Sequence, residues 1–197
     1  SEGKFFPRIK DRSTSRLEFV RWFKKVFSEF DNCQVYLFDP FFDHAGLYLL
    51  ALSSVSSSSY QVYTRLEDKK IDKPNRIETI KRTYEKIKKL LPQTLNLTIN
   101  GFPSHYLHDR YILFLNKKTG LIKGFQLSNS LEKQSDRHPL LVTPIPQDIL
   151  FDVWRYSRQL ITSEKCKEIF NSLEQEKEAL NLTIFDRKNF GKLCAEV

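Results

Sequence analysis

Apolar positions along the first third of the chain switch between helical and extended spacing. Ser15-Arg16-Leu17-Glu18 forms a capping box, and behind it Phe19, Phe23, Val26 and Phe30 recur three and four residues apart. This predicts a helix from about Ser15 to Glu29. Gln34 to Phe38 is β-branched and aromatic and closes on Asp39-Pro40, as a strand entering a turn does, and Phe41 to Leu52 reads as helix again. Ser53 to Ser59 is nearly all serine and reads as loop, followed by a short strand, Tyr60 to Thr64, and a charged connector, Glu67 to Lys73. Asn75 with Glu78 caps a further helix. In it Ile77, Ile80, Tyr84, Ile87 and Leu91 share one face, Lys81, Arg82, Lys86, Lys88 and Lys89 the other, and Pro92 ends the run.

Strand patterns cluster in the middle. Leu95 to Ile99 alternates, and Tyr111 to Leu115 and Leu121 to Leu127 flank the turn sequence Asn116-Lys117-Lys118-Thr119-Gly120, which predicts a hairpin. A strand at Leu140 to Thr143 is followed by two expected helices, Gln147 to Ile161 and Ser163 to Leu180. Early alternation of strand and helix with a late hairpin predicts an α/β architecture with a mixed β-sheet flanked by helices. The expected organisation is one domain over 1–197, with a core α/β unit at 14–130 and a C-terminal helical extension at 145–197. Leu-Asn-Leu-Thr-Ile occurs at 95–99 and at 180–184, but the flanks differ and no repeat follows.

Composition narrows the class. The 197 residues are 40% hydrophobic and 28% charged with 16 Phe, enough for one folded core and too short for a multidomain enzyme. No run approaches the roughly 20 apolar residues of a membrane helix, and Ser1 to Lys10 lacks a signal-peptide core, so a cytoplasmic protein with no membrane partner is expected. Cys33, Cys166 and Cys194 are odd in number and widely spaced, which argues for reduced thiols. The sequons at Asn96 and Asn181 then carry no meaning. The absence of Met, even at position 1, reads as a piece of a longer protein.

Thirty-two Lys and Arg against 24 Asp and Glu give a net charge of +8, a surplus that suits polyanions. DNA or RNA is favoured over anionic lipid because no amphipathic membrane-binding stretch is present. The basic face of the helix capped by Asn75 reads either as a solvated surface or as a nucleic-acid track, with Lys81, Lys88 and Lys89 as the candidate substrate contacts.

The most unusual local composition is Ser104-His105-Tyr106-Leu107-His108-Asp109-Arg110, which holds two of the four histidines directly before a strand. An imidazole beside a guanidinium at a strand mouth can attack phosphorus while the cation neutralises the phosphate oxygens. The hairpin partner brings Gly124-Phe125-Gln126-Leu127-Ser128-Asn129-Ser130 alongside, where glycine permits close backbone approach and Gln126, Ser128 and Asn129 supply neutral hydrogen-bonding groups. A capping role for His108 and Arg110, paired with Asp109, is the plain alternative. His105, His108 and Asp109 lack the further ligands of a zinc site, and Asp39 and Asp43 read as turn and cap residues before they read as magnesium ligands. His44 and His138 receive no assignment. No metal and no cofactor is expected.

This arrangement resembles the phospholipase D superfamily, whose signature is HxK, an Asp after four residues, and GSxN on the following strand. His108-Asp109-Arg110 stands for HxK with Arg in place of Lys, and Gly124 to Asn129 for a degenerate GSxN. It is similar in particular to the bacterial branch that carries His-Asp-Arg-aromatic, here ending in Tyr111, with an upstream Asp-Pro-aromatic, here Asp39-Pro40-Phe41, and a strand ending Tyr-Thr-Arg at Arg65. The resemblance covers about Gln34 to Ser130. It departs at Leu115, where the signature Asp belongs, and at the displaced serine of GSxN. It implies a metal-independent phosphodiesterase, a nuclease, working through a phosphohistidine on His108 with Arg110, Asn129 and Ser128 at the phosphate. Members use two facing HxK motifs, so a homodimer, or a second motif elsewhere in a longer protein, or loss of activity with retention as a nucleic-acid-binding or dimerisation module is implied. A place in bacterial antiviral defence is implied as well.

Overall fold

The computed structural model describes residues 2–7, 12–66, 75–91, 95–103, 105–131 and 138–177. Eight strands form one sheet: β1 (Lys4–Phe6), β2 (Cys33–Phe38), β3 (Ser59–Arg65), β4 (Leu97–Phe102), β5 (Tyr111–Asn116), β6 (Gly120–Leu127), β7 (Leu140–Pro144) and β8 (Lys167–Asn171). Their order across the sheet is β1-β7-β6-β5-β2-β3-β4-β8. β2, β3 and β4 run parallel, and β5 pairs antiparallel with β2, Phe38 standing opposite Tyr111. This is the expected mixed α/β sheet flanked by helices.

Strand alternation sorts the side chains into two cores. Cys33, Val35 and Leu37 of β2 face one side, with Phe23 and Phe27 of α1 (Arg12–Glu29), Leu47 and Leu50 of α2 (His44–Ser53), and Ile80, Tyr84 and Ile87 of α3 (Arg76–Leu90). Phe38, Tyr63, Tyr111 and Leu113 face the other side, against Leu150, Val153 and Trp154 of α4 (Gln147–Ile161). Three helices thus cover one face and α4 the other, each burying the stripe that its 3.6-residue period supplies.

Most predicted elements appear within a few residues of their expected bounds, α3 with Asn75 Oδ1 accepting from Ile77 N–H at 3.0 Å. Gly120 takes a φ of 91° in the hairpin turn, a conformation that favours glycine. The serine-rich stretch is a loop that supports the start of β2, Ser57 and Ser58 hydroxyl oxygens accepting from Asn32 and Cys33 N–H.

Four expectations are corrected. α1 begins at Arg12, ahead of the Ser15 box, because no helix breaker lies between Pro7 and that point. α2 begins at His44 rather than Phe41. Asp43 is its true cap, its Oδ1 accepting from Ala45 N–H at 2.8 Å, while Asp39 holds Phe41 in the preceding turn. The helix expected over Ser163 to Leu180 is replaced by β8, with helix only at 172–177 and residues 178–180 outside the described set. The edge of β4 decides this: β8 pairs antiparallel with it and seats Phe170 on Tyr84, ring centroids 4.8 Å apart, so long-range pairing overrides local helix preference. β1 was not expected either; three residues carry no pattern, and pairing with β7 and the stacking of Phe6 on Phe19 of α1, centroids 4.1 Å apart, hold them. Cys194, the 180–184 string and the connector Glu67 to Lys73 lie outside the described residues.

Candidate functional site

The ends of β2, β3, β4 and β6 and the start of β5 meet at one end of the sheet, a consequence of three parallel strands pairing with an antiparallel hairpin. Beyond the Phe38–Tyr111 pair lie Asp39 after β2 and Arg110 before β5. Leu127 N–H donates to the Arg110 carbonyl at 2.9 Å, which leaves His108 and Asn129 two residues further out on adjoining strands.

Phe41 organises the cations. Two guanidiniums lie over its ring, Arg65 at 5.1 Å and Arg110 at 5.6 Å from the centroid. Arg65 continues to the histidine: its Nε donates to the Leu107 carbonyl at 2.6 Å and its Nη2 lies 2.7 Å from His108 Nδ1. Leu107 is buried and anchors the loop that carries His108, while the His108 ring is exposed. The Nε of Arg110 is buried and makes no hydrogen bond with a described residue. Arg76, at the start of α3, ties the strand ends by donating to the carbonyls of Pro40, Phe42 and Arg65 and to Thr64 Oγ1.

Below this surface Asp39 is fully buried. Its Oδ1 accepts from Phe41 N–H at 3.1 Å and Ser130 Oγ–H at 2.6 Å, and its Oδ2 from Leu131 N–H at 2.7 Å. Burial pushes its carboxyl above the usual aspartate range, while these three donors and the charge of Arg110 pull it back. Asp39 therefore fastens β2 to the segment after β6. With Asp43 capping α2, both carboxylates are in the turn and cap roles expected of them. Among the described residues no group of three His, Cys, Asp or Glu stands together as a metal site.

His108, Arg110 and Asn129 are thus placed at neighbouring strand ends; Asn129 Oδ1 accepts from Ser130 N–H at 2.9 Å. Ser128 belongs to the ladder with β7, its Oγ accepting from Leu141 N–H at 2.8 Å. Gln126 is exposed on β6, opposite Tyr111. Lys81, Lys88 and Lys89 are exposed on α3, which leads away from Arg76: at 1.5 Å per residue Lys88 lies about 18 Å along the axis. Leu115 sits near the hairpin end of β5, about 13 Å along the strand from Tyr111. Gly124 corrects an expectation. A Cβ there would lie 2.7 Å from Leu150, 2.8 Å from Leu113 and 2.9 Å from Ile145, so the glycine admits α4, not phosphate. The sequence pattern gives no site role to Phe41, Arg65, Arg76 or Ser130. Arg65 alone had a signal, as the end of the Tyr-Thr-Arg strand that the resemblance carries.

The fold and this strand-end cluster define a mixed-sheet α/β protein with a cationic, histidine-bearing end. No family model and no curated protein matches the sequence. Among solved structures it is similar to NucT from Helicobacter pylori, at 10% identity and a TM-score of 0.48, over 85% of this chain and 99% of that one. It is similar also to polyphosphate kinase from Porphyromonas gingivalis, at 10% identity and a TM-score of 0.45, over 93% of this chain and 28% of that one. Phosphatidylserine synthase from Haemophilus influenzae follows at 15% identity and a TM-score of 0.44, over 97% of this chain and 46% of that one. The chain therefore spans less than half the length of two of these three. No described helix is long and apolar enough to cross a membrane.

Proposed function

We propose that this chain is a phospholipase D-like domain that engages the phosphodiester backbone of DNA or RNA at the strand-end site, and that hydrolysis there needs no metal. One observation carries the reading: two guanidiniums converge on Phe41 beside an exposed histidine, with an Arg110 Nε that no described group satisfies. Planar guanidiniums bind phosphate oxygens in pairs, and a ring contacted by both keeps the two cations near one another. Cleavage would proceed through a phosphohistidine on His108, with Arg110, Asn129 and Ser128 around the phosphate, as the motif resemblance implies. The single His-Asp-Arg motif would then be completed by a second copy of the chain or by a second motif in a longer protein. A cytoplasmic role in defence against foreign nucleic acid fits such a domain.

The second reading is a module that binds nucleic acid without cutting it. Two observations favour it: a cation rather than a carboxylate contacts His108, and Leu115 stands at the far end of β5. One assay separates the readings. Labelled oligonucleotides are expected to bind at low ionic strength, and Arg110→Ala to weaken binding at least tenfold. Metal-free phosphodiesterase activity persists in excess chelator and is abolished by His108→Ala. Activity that vanishes with chelator and returns with magnesium would overturn the mechanism. Failure of the folded chain to bind any oligonucleotide would overturn the site.

A further inference from the structure

We propose that Arg65 is a positioning residue that holds His108 as a neutral N–H donor, so that the chain as built binds a phosphodiester without attacking it. The inference rests on the second of the two readings, that the strand-end site binds nucleic acid without cutting it; it runs against hydrolysis on His108 and assigns the histidine's part in binding.

A guanidinium has five N–H donors and no acceptor, and it does not lose its proton in a protein. With Arg65 Nη2 2.7 Å from His108 Nδ1, the imidazole nitrogen must accept. A neutral imidazole has one ring proton, and when Nδ1 accepts, that proton is on Nε2. Attack on phosphorus needs an in-plane lone pair. The pair on Nδ1 is engaged by Arg65, and Nε2 in this tautomer carries hydrogen instead. A carboxylate in this place would do the reverse, accepting from Nδ1–H and leaving the Nε2 pair free. No hydrogen bond joins a described carboxylate to His108, and the carboxylate of Asp39 is already taken by three donors.

Arg65 is held in place. Its Nε is bonded to the Leu107 carbonyl, its guanidinium lies against Phe41, its backbone N–H donates to the Pro40 carbonyl at 3.2 Å, and its own carbonyl accepts from Arg76. His108 is exposed, and beside its Nε2–H stand the Arg65 guanidinium and the Arg110 guanidinium that shares the Phe41 ring. Those are groups that grip a phosphate oxygen, and none of them forms a bond to phosphorus.

Nitrogen-15 NMR of the imidazole, with inorganic phosphate and then a dinucleotide as probes, tests this at a pH where the ring is neutral. The wild-type chain is expected to show a pyrrole-type Nε2 and a pyridine-type Nδ1, and phosphate to shift the Nε2 proton. Arg65→Lys, which keeps a donor, retains the pattern. Arg65→Glu, which supplies an acceptor, reverses it, and the amide spectrum reports whether that variant is folded. A proton on wild-type Nδ1, or a phosphorus–nitrogen bond formed on mixing with the dinucleotide, overturns the proposal while leaving the binding site intact. Phosphate that moves neither His108 nor Arg110 signals overturns the site and the proposal together.

Discussion

Asp39 receives Phe41 N–H, Ser130 Oγ–H and Leu131 N–H in a position without solvent contact. Because burial outweighs those donors, its folded pKa stands above that of the unfolded chain. The stability this carboxyl contributes is therefore full below the ordinary aspartate range and is lost as pH rises through the raised value. Ser130→Ala removes a donor to the charged form and is expected to cost about 1.5–3 kcal/mol at neutral pH. The cost shrinks in acid, where Asp39 is protonated; urea unfolding of both proteins across pH reads the difference. At Gly124 the expected change is to packing alone. Gly124→Ala drives a methyl among Leu150, Leu113 and Ile145 and is expected to cost about 1–3 kcal/mol, measured by thermal unfolding, without altering oligonucleotide affinity.

At the level of elements, α3 has two functions that its sequence period does not separate. Its first residue, Arg76, knots the strand ends, while Lys81, Lys88 and Lys89 lie along a surface leading away from them. Reversing those three charges is expected to leave affinity for a dinucleotide unchanged. For an oligonucleotide long enough to run along α3, the salt dependence of binding is expected to weaken, by up to about 0.9 in log-log slope per lost duplex contact. An equal slope for the variant and wild type, measured by fluorescence anisotropy from low to moderate salt, would show that face to be merely solvated. The helical stripes of α3 and α4 and the alternation of β2, β5 and β6 were legible because each element buries one face. β8 was not, since Lys167-Glu168-Ile169-Phe170 has no period of its own and takes strand form from β4. The site was half legible for the same reason. His108 and Arg110 are neighbours in sequence, whereas Arg65 and Asp39 join them only through strand order.

At the scale of the molecule, the parallel half of the sheet and the antiparallel half meet between β2 and β5, and the cluster sits on that seam. The bonds that close it are long-range: Arg65 reaches His108 across 43 positions, and Asp39 reaches Ser130 across 91. Contacts so distant along a polymer form only after the intervening loops have closed. A nascent chain that has not yet delivered Ser130 cannot own this site, and neither can a partly melted one. The proposed binding of a polyanion would thus be linked to the completed sheet, and hydrogen exchange is expected to slow in β2, β3, β5 and β6 together when an oligonucleotide is added, with no protection confined to the His108 loop. The cluster therefore reports on the history of the chain as well as its chemistry: on the proposed reading, only a molecule that has finished folding would hold a phosphate there.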